Sequence, residues 1–407
     1  MILNPVLHIC LPSLNESESI PGFLQSIQKQ SNQNFILYVC VNQPDEWWDD
    51  ETKLAICEDN AKTLDILSQE KSLAIIIIDK SSRGKAWQAK KRGVGWARKI
   101  VMDKAAEAAA DQDLIVSVDA DTFYPKNYFQ SLVDIFKTNP HIVAHSNPYE
   151  HPLSGKIAED TAILRYEIYM RVYAINMLLI ANPYAFSAIG SGMVTTAFQY
   201  KRVGGISPKH SGEDFYFIQR MQKVGRLSNY NDVKVYPQAR FSDRVNFGTG
   251  PAMIKGDSGD WTSYPFYLPS LFAKVQETYQ MFEHLFEEDV QTPMSDFLRI
   301  LLKKDDIWKP LRKNFKQKKQ FVRAAAELVD ALRILQYLKE KHQEISGGDV
   351  LDLINNMEYF ATFDEGVQCF MKEKHQNLLA FESMKELREV LMNMEYRLRE
   401  KNNTVFL

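Results

Sequence analysis

Four short, almost unbroken hydrophobic runs constrain the fold of this 407-residue chain more than any other feature: LHICLP (7–12), FILYVCV (35–41), LAIIIID (73–79) and LIVSVD (114–119). They are rich in Ile and Val and lack polar alternation, so they read as strands covered on both faces. Helix-length segments lie between them. Ser17 to Gln30 carries Ile20, Phe23, Leu24 and Ile27 on one stripe, and Asp50 to Ser68 and Ala86 to Ala110 follow. Repeated strand–helix–strand units imply an α/β protein with a parallel sheet and right-handed crossovers. Such sheets bind ligands beyond the C-terminal ends of their strands.

The fourth run stops at that end in two carboxylates, Asp119 and Asp121. Residues i and i+2 of an extended chain share a side, so the charges repel. A hard divalent cation, Mg2+ or Mn2+, relieves the repulsion and bridges to phosphates; a solvated aspartate turn before Tyr124-Pro125 is the plainer alternative. PSLNE (12–16) follows the first run. Pro12 is expected to end the ladder, and Asn15 and Glu16 either face a ligand or cap the next helix. SSRGKAWQAKKRGVGWA (81–97) follows the third run and enters a helix. There Gly84 admits close backbone approach, Lys85 reaches a phosphate, and the helix N-terminus favours anions; a solvated basic face is the alternative. The P-loop spacing and a G-x-G-x-x-G after a strand are both missing from the sequence. Further on, GED (212–214) opens an amphipathic helix carrying Phe217, Met221 and Val224. Acidic residues suit a helix start, and they also suit a general base facing a cleft. His210 nearby reads as a loop histidine or a further metal ligand.

A net charge of −3 gives no reason to expect nucleic acid as a partner. The four cysteines form no C-x-x-C and read as reduced thiols. MILNPVLHICLPSLN lacks a basic start, which argues against a signal peptide, and a cytoplasmic protein is the expectation. From about residue 270 helical periodicity replaces the strand signals, so the expected division is an α/β domain over 1–265 and a helical region over 266–407. FVRAAAELVDALRILQYLKEKHQE (321–344) and MKELREVLMNMEYRLREK (384–401) read as long helices, with breaks at Pro293, Pro310 and Gly347-Gly348. Residues 299–323 hold ten Lys or Arg against two Asp, interspersed with apolar side chains. They suit either a solvated helix face or peripheral contact with an anionic inner membrane surface. The helix expected over Thr161 to Ala181 is rich in Tyr, Met and Leu, and forms core or lines an acceptor pocket.

LPSLNE, RGKAWQAKKRG, VDAD and GSGMVTTAFQYKRVGG…GED, in that order over roughly residues 5–250, resemble the inverting glycosyltransferases of family 2. The resemblance implies the GT-A fold, a Rossmann-like, mainly parallel mixed sheet flanked by helices. It also implies a UDP- or GDP-sugar donor, Mg2+ or Mn2+, and a hydroxyl of a saccharide or lipid-linked acceptor. Carried over by position, Pro12, Asn15 and Glu16 resemble the nucleoside-contacting loop, and Lys85 the basic residue near base and phosphates. Asp119 resembles the ribose or base contact, Asp121 the metal ligand, and Asp214 the catalytic base with Glu213 beside it.

The chain departs from the family in two places. VCVNQPDEWW (39–48) stands where D-D-x-S is common, leaving Asn42 or Asp45 to read the base. Q-x-x-R-W and the membrane helices of processive synthases are missing, which favours single addition over polymerisation. In place of that motif, YPQARFSDRVNFGTGPAMIKG (236–256) carries Arg240, Arg244 and Lys255, and Arg244 and Lys255 are the expected diphosphate contacts. A nucleotidyltransferase would be expected to carry a Gly- and Arg-containing loop where LPSLNES stands. A non-catalytic nucleotide-sugar-binding or scaffold protein remains the third reading. The sequence leaves the oligomeric state open.

Overall fold

The computed structural model describes residues 4–88, 92–209, 211–241, 248–374 and 377–405. It forms two compact units: one takes the chain to Ile163 and resumes over Phe186–Asp260, and the other takes Leu164–Ala185 and the chain from Trp261 on.

Among the described residues the first unit contains nine strands: β1 (Leu7–Ser13), β2 (Phe35–Asn42), β3 (Ile75–Lys80), β4 (Leu114–Ser117), β5 (Thr122–Phe123), β6 (Ile142–Ser146), β7 (Met193–Thr196), β8 (Arg226–Ser228) and β9 (Tyr236–Pro237). Seven form one mixed, mainly parallel sheet in the order β3-β2-β1-β4-β7-β6-β8, and β5 pairs with β9. β1 is parallel to both β2 and β4, and β2 to β3. β7 runs antiparallel between β4 and β6, and β8 is parallel to β6. Its helices are α1 (Ile20–Gln28), α2 (Leu54–Gln69), α3 (Val94–Ala108), α4 (Tyr128–Thr138), the start of α5 (Ile157–Leu179), α6 (Ala197–Arg202), α7 (Glu213–Val224) and α8 (Thr249–Asp257). The α/β class is therefore as expected.

Three local expectations are corrected. β1 and β4 are buried throughout and β2 almost so, but β3 is not, with Ile76 38% exposed. β3 is the edge strand, so apolar continuity overstates its cover. The helix expected from Ala86 begins only at Val94, after Gly93 at φ 93°. Ala86 to Gln88 instead form a loop in which Trp87 bridges to Pro44. Pro12 does not end the ladder, because Ser13 still pairs with Val41. Pairing of β1 with β4 stops at Cys10, so Pro12 lies where that side of the strand is an edge, a position that tolerates proline.

The second unit holds α5 from Leu164 on and α9 (Pro269–Gln280), α10 (Phe282–Glu287), α11 (Ser295–Leu302), α12 (Lys309–Asn314), α13 (Lys318–Leu328), α14 (Ala331–Ile345), α15 (Asp349–Ala361), α16 (Glu365–Lys374) and α17 (Phe381–Val405). The helical character of the C-terminal region is as expected. The single helix anticipated over 321–344 is divided at Val329–Asp330, because the Asp330 side chain caps α14 by accepting from the Arg333 N–H. The tyrosine stripe of α5 packs on Tyr264, Tyr267 and Phe272. Four buried charged side chains brace α5 and α17. Arg171 donates to Glu167 at 3.0 Å and to Glu395 at 2.7 Å, and Arg399 donates to Glu395 at 2.7 Å.

Candidate functional site

The C-terminal ends of β1 to β4 carry most of the residues singled out above. At the tips of β2 and β3 two loops lock together. The 84–85 turn has Gly84 at φ 78°, and its N–H donates to Asp45 Oδ1 at 2.8 Å. Arg83 pairs with Asp49 and Arg92 with Glu46, so these basic residues already face acidic partners. Lys85 lies 3.3 Å from Asp79 Oδ2, with its side chain mostly exposed. Burial works against the Asp79 carboxylate, but N–H donors from Ser82 and Ser81 and the Lys85 ammonium hold its pKa down to about 2. Asp79, Lys80, Gly84, Lys85 and Trp87 are among the residues lining a cavity of about 590 Å3 here. Asn42 is buried behind it, donating to Ser13 O at 2.8 Å and accepting from the Trp87 indole at 3.2 Å. It ties β1 to the 87 loop rather than facing solvent.

Asn15 takes φ 55°, a left-handed conformation that Asn tolerates better than most residues, and its N–H donates to Asn60. The Glu16 carbonyl accepts from Ser19 and Ile20 at the start of α1. Its side chain points elsewhere, to Arg240.

Beyond β4 the chain turns rather than staying extended: the Thr122 N–H donates to Asp119 O at 3.3 Å. The two carboxylates therefore do not share one side, and each has its own guanidinium. Asp119 Oδ1 accepts from Arg98 Nη2 at 2.9 Å, and Asp121 Oδ2 lies 2.8 Å from Arg240 Nη2. The same Nη2 of Arg240 is 2.6 Å from Glu16 Oε1. Two carboxylates thus converge on one cationic nitrogen, with hard oxygen donors of the kind Mg2+ and Mn2+ take. Among the described residues no cluster of three or more His, Cys, Asp or Glu is gathered for a metal. A hard cation at this point fits if phosphate and water oxygens complete its shell.

Arg98 is the hub of the site. It projects from the buried face of α3 and donates to Glu213 Oε1 (3.0 Å), Ser117 Oγ (2.5 Å), Gly190 O (3.1 Å) and Asp119. Burial opposes its charge, but Asp119, Glu213 and Asp214 keep its pKa above the ordinary arginine value. Gly190 leaves the space it needs, since a Cβ there would stand 2.7 Å from Arg98 Nη2.

Arg98 also fixes α7, whose first residue is Glu213. Asp214 follows, half-buried, with its Oδ1 accepting from the Phe215 N–H at 2.7 Å. Burial and then the Glu213 carboxylate push the Asp214 pKa up to about 7, against the pull of Arg98. A carboxylate poised near neutrality beside an acidic strand tip can take a proton from a hydroxyl.

Lys255 stands exposed on the last turn of α8. Arg244 and His210 lie outside the described residues. Sequence reasoning missed Arg98 and passed over Arg240. A signal for Arg98 existed: with Val101, Met102 and Ala105 it occupies i, i+3, i+4 and i+7, an arginine on an apolar stripe. Nothing local marks Arg240 above its neighbours.

Residues 8–187 match the family model described as glycosyl transferase family 2. No curated protein matches the chain. Among solved structures, the chain is similar to the mannosyltransferase PcManGT from Pyrobaculum calidifontis in complex with GDP-Man and Mn2+. The identity is 13% and the TM-score 0.39, with 97% of this chain and 86% of that one covered. S. aureus TarS 1–349 is similar at 13% identity and TM-score 0.38, covering 98% and 91%. Its complex with UDP gives 12% and 0.36, covering 98% and 91%.

Proposed function

We propose that this chain, whose residues 8–187 match the model of glycosyl transferase family 2, carries out an inverting, single-addition transfer of a sugar from a UDP- or GDP-sugar to a hydroxyl of a saccharide or lipid-linked acceptor. The observation that supports the reading is the Arg98 bridge, which ties Asp119 to Glu213 at the start of α7 and so brings Asp214, the next residue, within electrostatic reach of Asp119. Asp214 accepts the acceptor's hydroxyl proton. As that oxygen bonds to the anomeric carbon, the bond to the diphosphate breaks and its electron pair leaves with the diphosphate. One such displacement inverts the centre. Glu213 positions Asp214 and raises its basicity, while Asp119 is oriented for the donor's ribose or base. The cavity beside Asp79, Lys85 and Trp87 suits the nucleoside and its phosphates. Bound Mg2+ or Mn2+ would neutralise charge on the departing diphosphate, with Asp121 among the residues holding it.

Titration calorimetry with UDP and GDP, with and without Mn2+, tests this. Binding of one nucleoside diphosphate is expected to depend on metal and to vanish in Asp121→Ala. Absence of binding for both under every metal condition would sink the reading.

A cytoplasmic protein that touches the inner membrane surface through 299–323 is part of the same proposal. Ile300 is 75% exposed and Leu301 39%, and Lys303, Lys304, Lys309, Lys313, Lys316 and Lys319 are exposed around them. Among the described residues no helix is long and apolar enough to cross a membrane. In flotation assays the protein should rise with phosphatidylglycerol-containing vesicles at low salt and remain behind with pure phosphatidylcholine or at high salt. Equal recovery with both vesicle types would argue against an electrostatic contact.

A further inference from the structure

We infer that the Tyr124 hydroxyl is a positioning group for the donor site: it holds the Asp119 backbone and so sets the direction from which that carboxylate meets a nucleotide-sugar. The purpose rests on the nucleotide-sugar reading, but the geometry is local. The chain turns after Asp119, passes through β5 and brings the phenol of Tyr124 back to its own strand tip. There the Tyr124 hydroxyl accepts from the Asp119 N–H at 3.0 Å and donates to the Ser191 carbonyl at 3.1 Å. Tyr124 is 1% exposed, whereas the Asp119 side chain is 32% exposed. The backbone of Asp119 is therefore anchored on a buried side chain while its carboxylate still reaches solvent.

The anchor is itself held. The Tyr124 ring packs edge-on to Phe23 of α1 at 6.0 Å and against Tyr128 of α4 at 5.2 Å. The Gln30 side chain donates to the Tyr124 carbonyl at 3.2 Å. Burial and the neighbouring Asp119 charge keep the phenol pKa well above its ordinary value, so the hydroxyl keeps the proton it donates. Ser191 lies in the turn Gly190–Gly192, whose three carbonyls accept from three places. Gly190 O accepts from Ser117 Oγ at 2.7 Å, Ser191 O from Tyr124, and Gly192 O from the Asn147 N–H at 2.8 Å. Gly190 O also accepts from Arg98. The hydroxyl thus joins the acidic tip to the turn that Arg98 uses, and Asp119 is fixed at its N–H by Tyr124 and at its carboxylate by Arg98. With both ends held, the carboxylate is presented in one orientation, which spares a ligand the cost of ordering it. Tyr124→Phe keeps the ring and its packing and removes the bridge.

The test is Tyr124→Phe in the full-length protein, read by amide hydrogen exchange and by calorimetry with UDP and GDP in the presence of Mn2+. The Asp119 amide should exchange about tenfold faster, the worth of one lost hydrogen bond. The Val118 amide, which donates to Cys10 O, should keep its rate. Nucleoside diphosphate affinity should fall about tenfold. In an Asp119→Ala background the same substitution should change affinity by less than about twofold, because a group that acts through Asp119 has nothing further to lose there. A merely structural tyrosine would speed both amides alike and cost the same affinity in either background. Unchanged exchange at Asp119, unchanged affinity for a nucleotide that the wild type binds, or additive losses would each overturn the inference. If the Asp119 amide quickens but the wild type binds neither UDP nor GDP with or without Mn2+, the clamp on Asp119 stands and the nucleotide-sugar reading falls.

Discussion

Replacing Asp214 with asparagine should lower kcat by about 10^2–10^4-fold, the usual worth of a positioned general base, while nucleoside diphosphate affinity stays within about twofold. The separation follows from the geometry. Arg98 grips Glu213, not Asp214, so the amide leaves the framework of the site untouched. The pH dependence gives a second measure. Burial and Glu213 hold the Asp214 carboxyl protonated up to about 7, against an ordinary 3.8. The active form is the carboxylate, so kcat/KM should rise with pH through about 7 rather than near 4. Glu213→Gln removes the neighbouring negative charge and should move that rise to lower pH.

The same raised pKa has a stability consequence. Between the two values the folded chain holds a proton that the unfolded chain has lost, so stability declines as pH climbs through that window. Asp214→Asn should therefore melt higher than the wild type above pH 7 and alike below about 4. A variant with normal turnover at all pH values would remove Asp214 from the chemistry.

Arg98→Leu should have the largest effect on the fold itself, a loss of about 3–5 kcal/mol in urea unfolding, because breaking a buried ion pair leaves uncompensated charge behind. The arginine side chain is 4% exposed and Glu213 5%, so water can do little to screen what remains. Ser117 Oγ would lose a donor that the substitution does not replace. Arg98→Lys keeps the charge but has no planar fork to reach Asp119, Glu213, Ser117 and Gly190 together, so a smaller loss is expected. In that variant the weakened cation lets Asp214 rise further, and the pH profile should move up rather than down. Unchanged stability in Arg98→Leu would mean that the bridge does not organise the site.

The strands most legible in the sequence are those that supply the acidic tip. β1, β2 and β4 are apolar and buried, so continuous hydrophobicity finds them. β6, β7 and β8 escaped notice because they are short and carry His145, Ser146, Thr195 and Ser228, whose polar atoms are satisfied by neighbours that only the fold brings near. The carboxylates were legible for a similar reason: Asp119 and Asp121 interrupt an apolar run, and Asp214 opens an amphipathic helix. Their partners were not. Arg98 is 21 residues from Asp119 and 115 from Glu213, and Arg240 is 224 from Glu16. A charge pair made across such separations leaves no periodicity to read. The expectation that one metal resolves the Asp119–Asp121 repulsion assumed an extended chain; the turn at Ala120 lets two arginines resolve it separately.

The antiparallel insertion of β7 between β4 and β6 also sets an order of events on the ribosome. β4 meets β1 as soon as it is made, but its other edge waits for Met193. At about 5–20 residues per second, the roughly 75 residues between Ser117 and Met193 take about 4–15 s to emerge. Throughout that interval the nascent chain exposes the unpaired backbone of an apolar strand, a template for intermolecular pairing. A chaperone holding the emerging chain would have most to protect in that window.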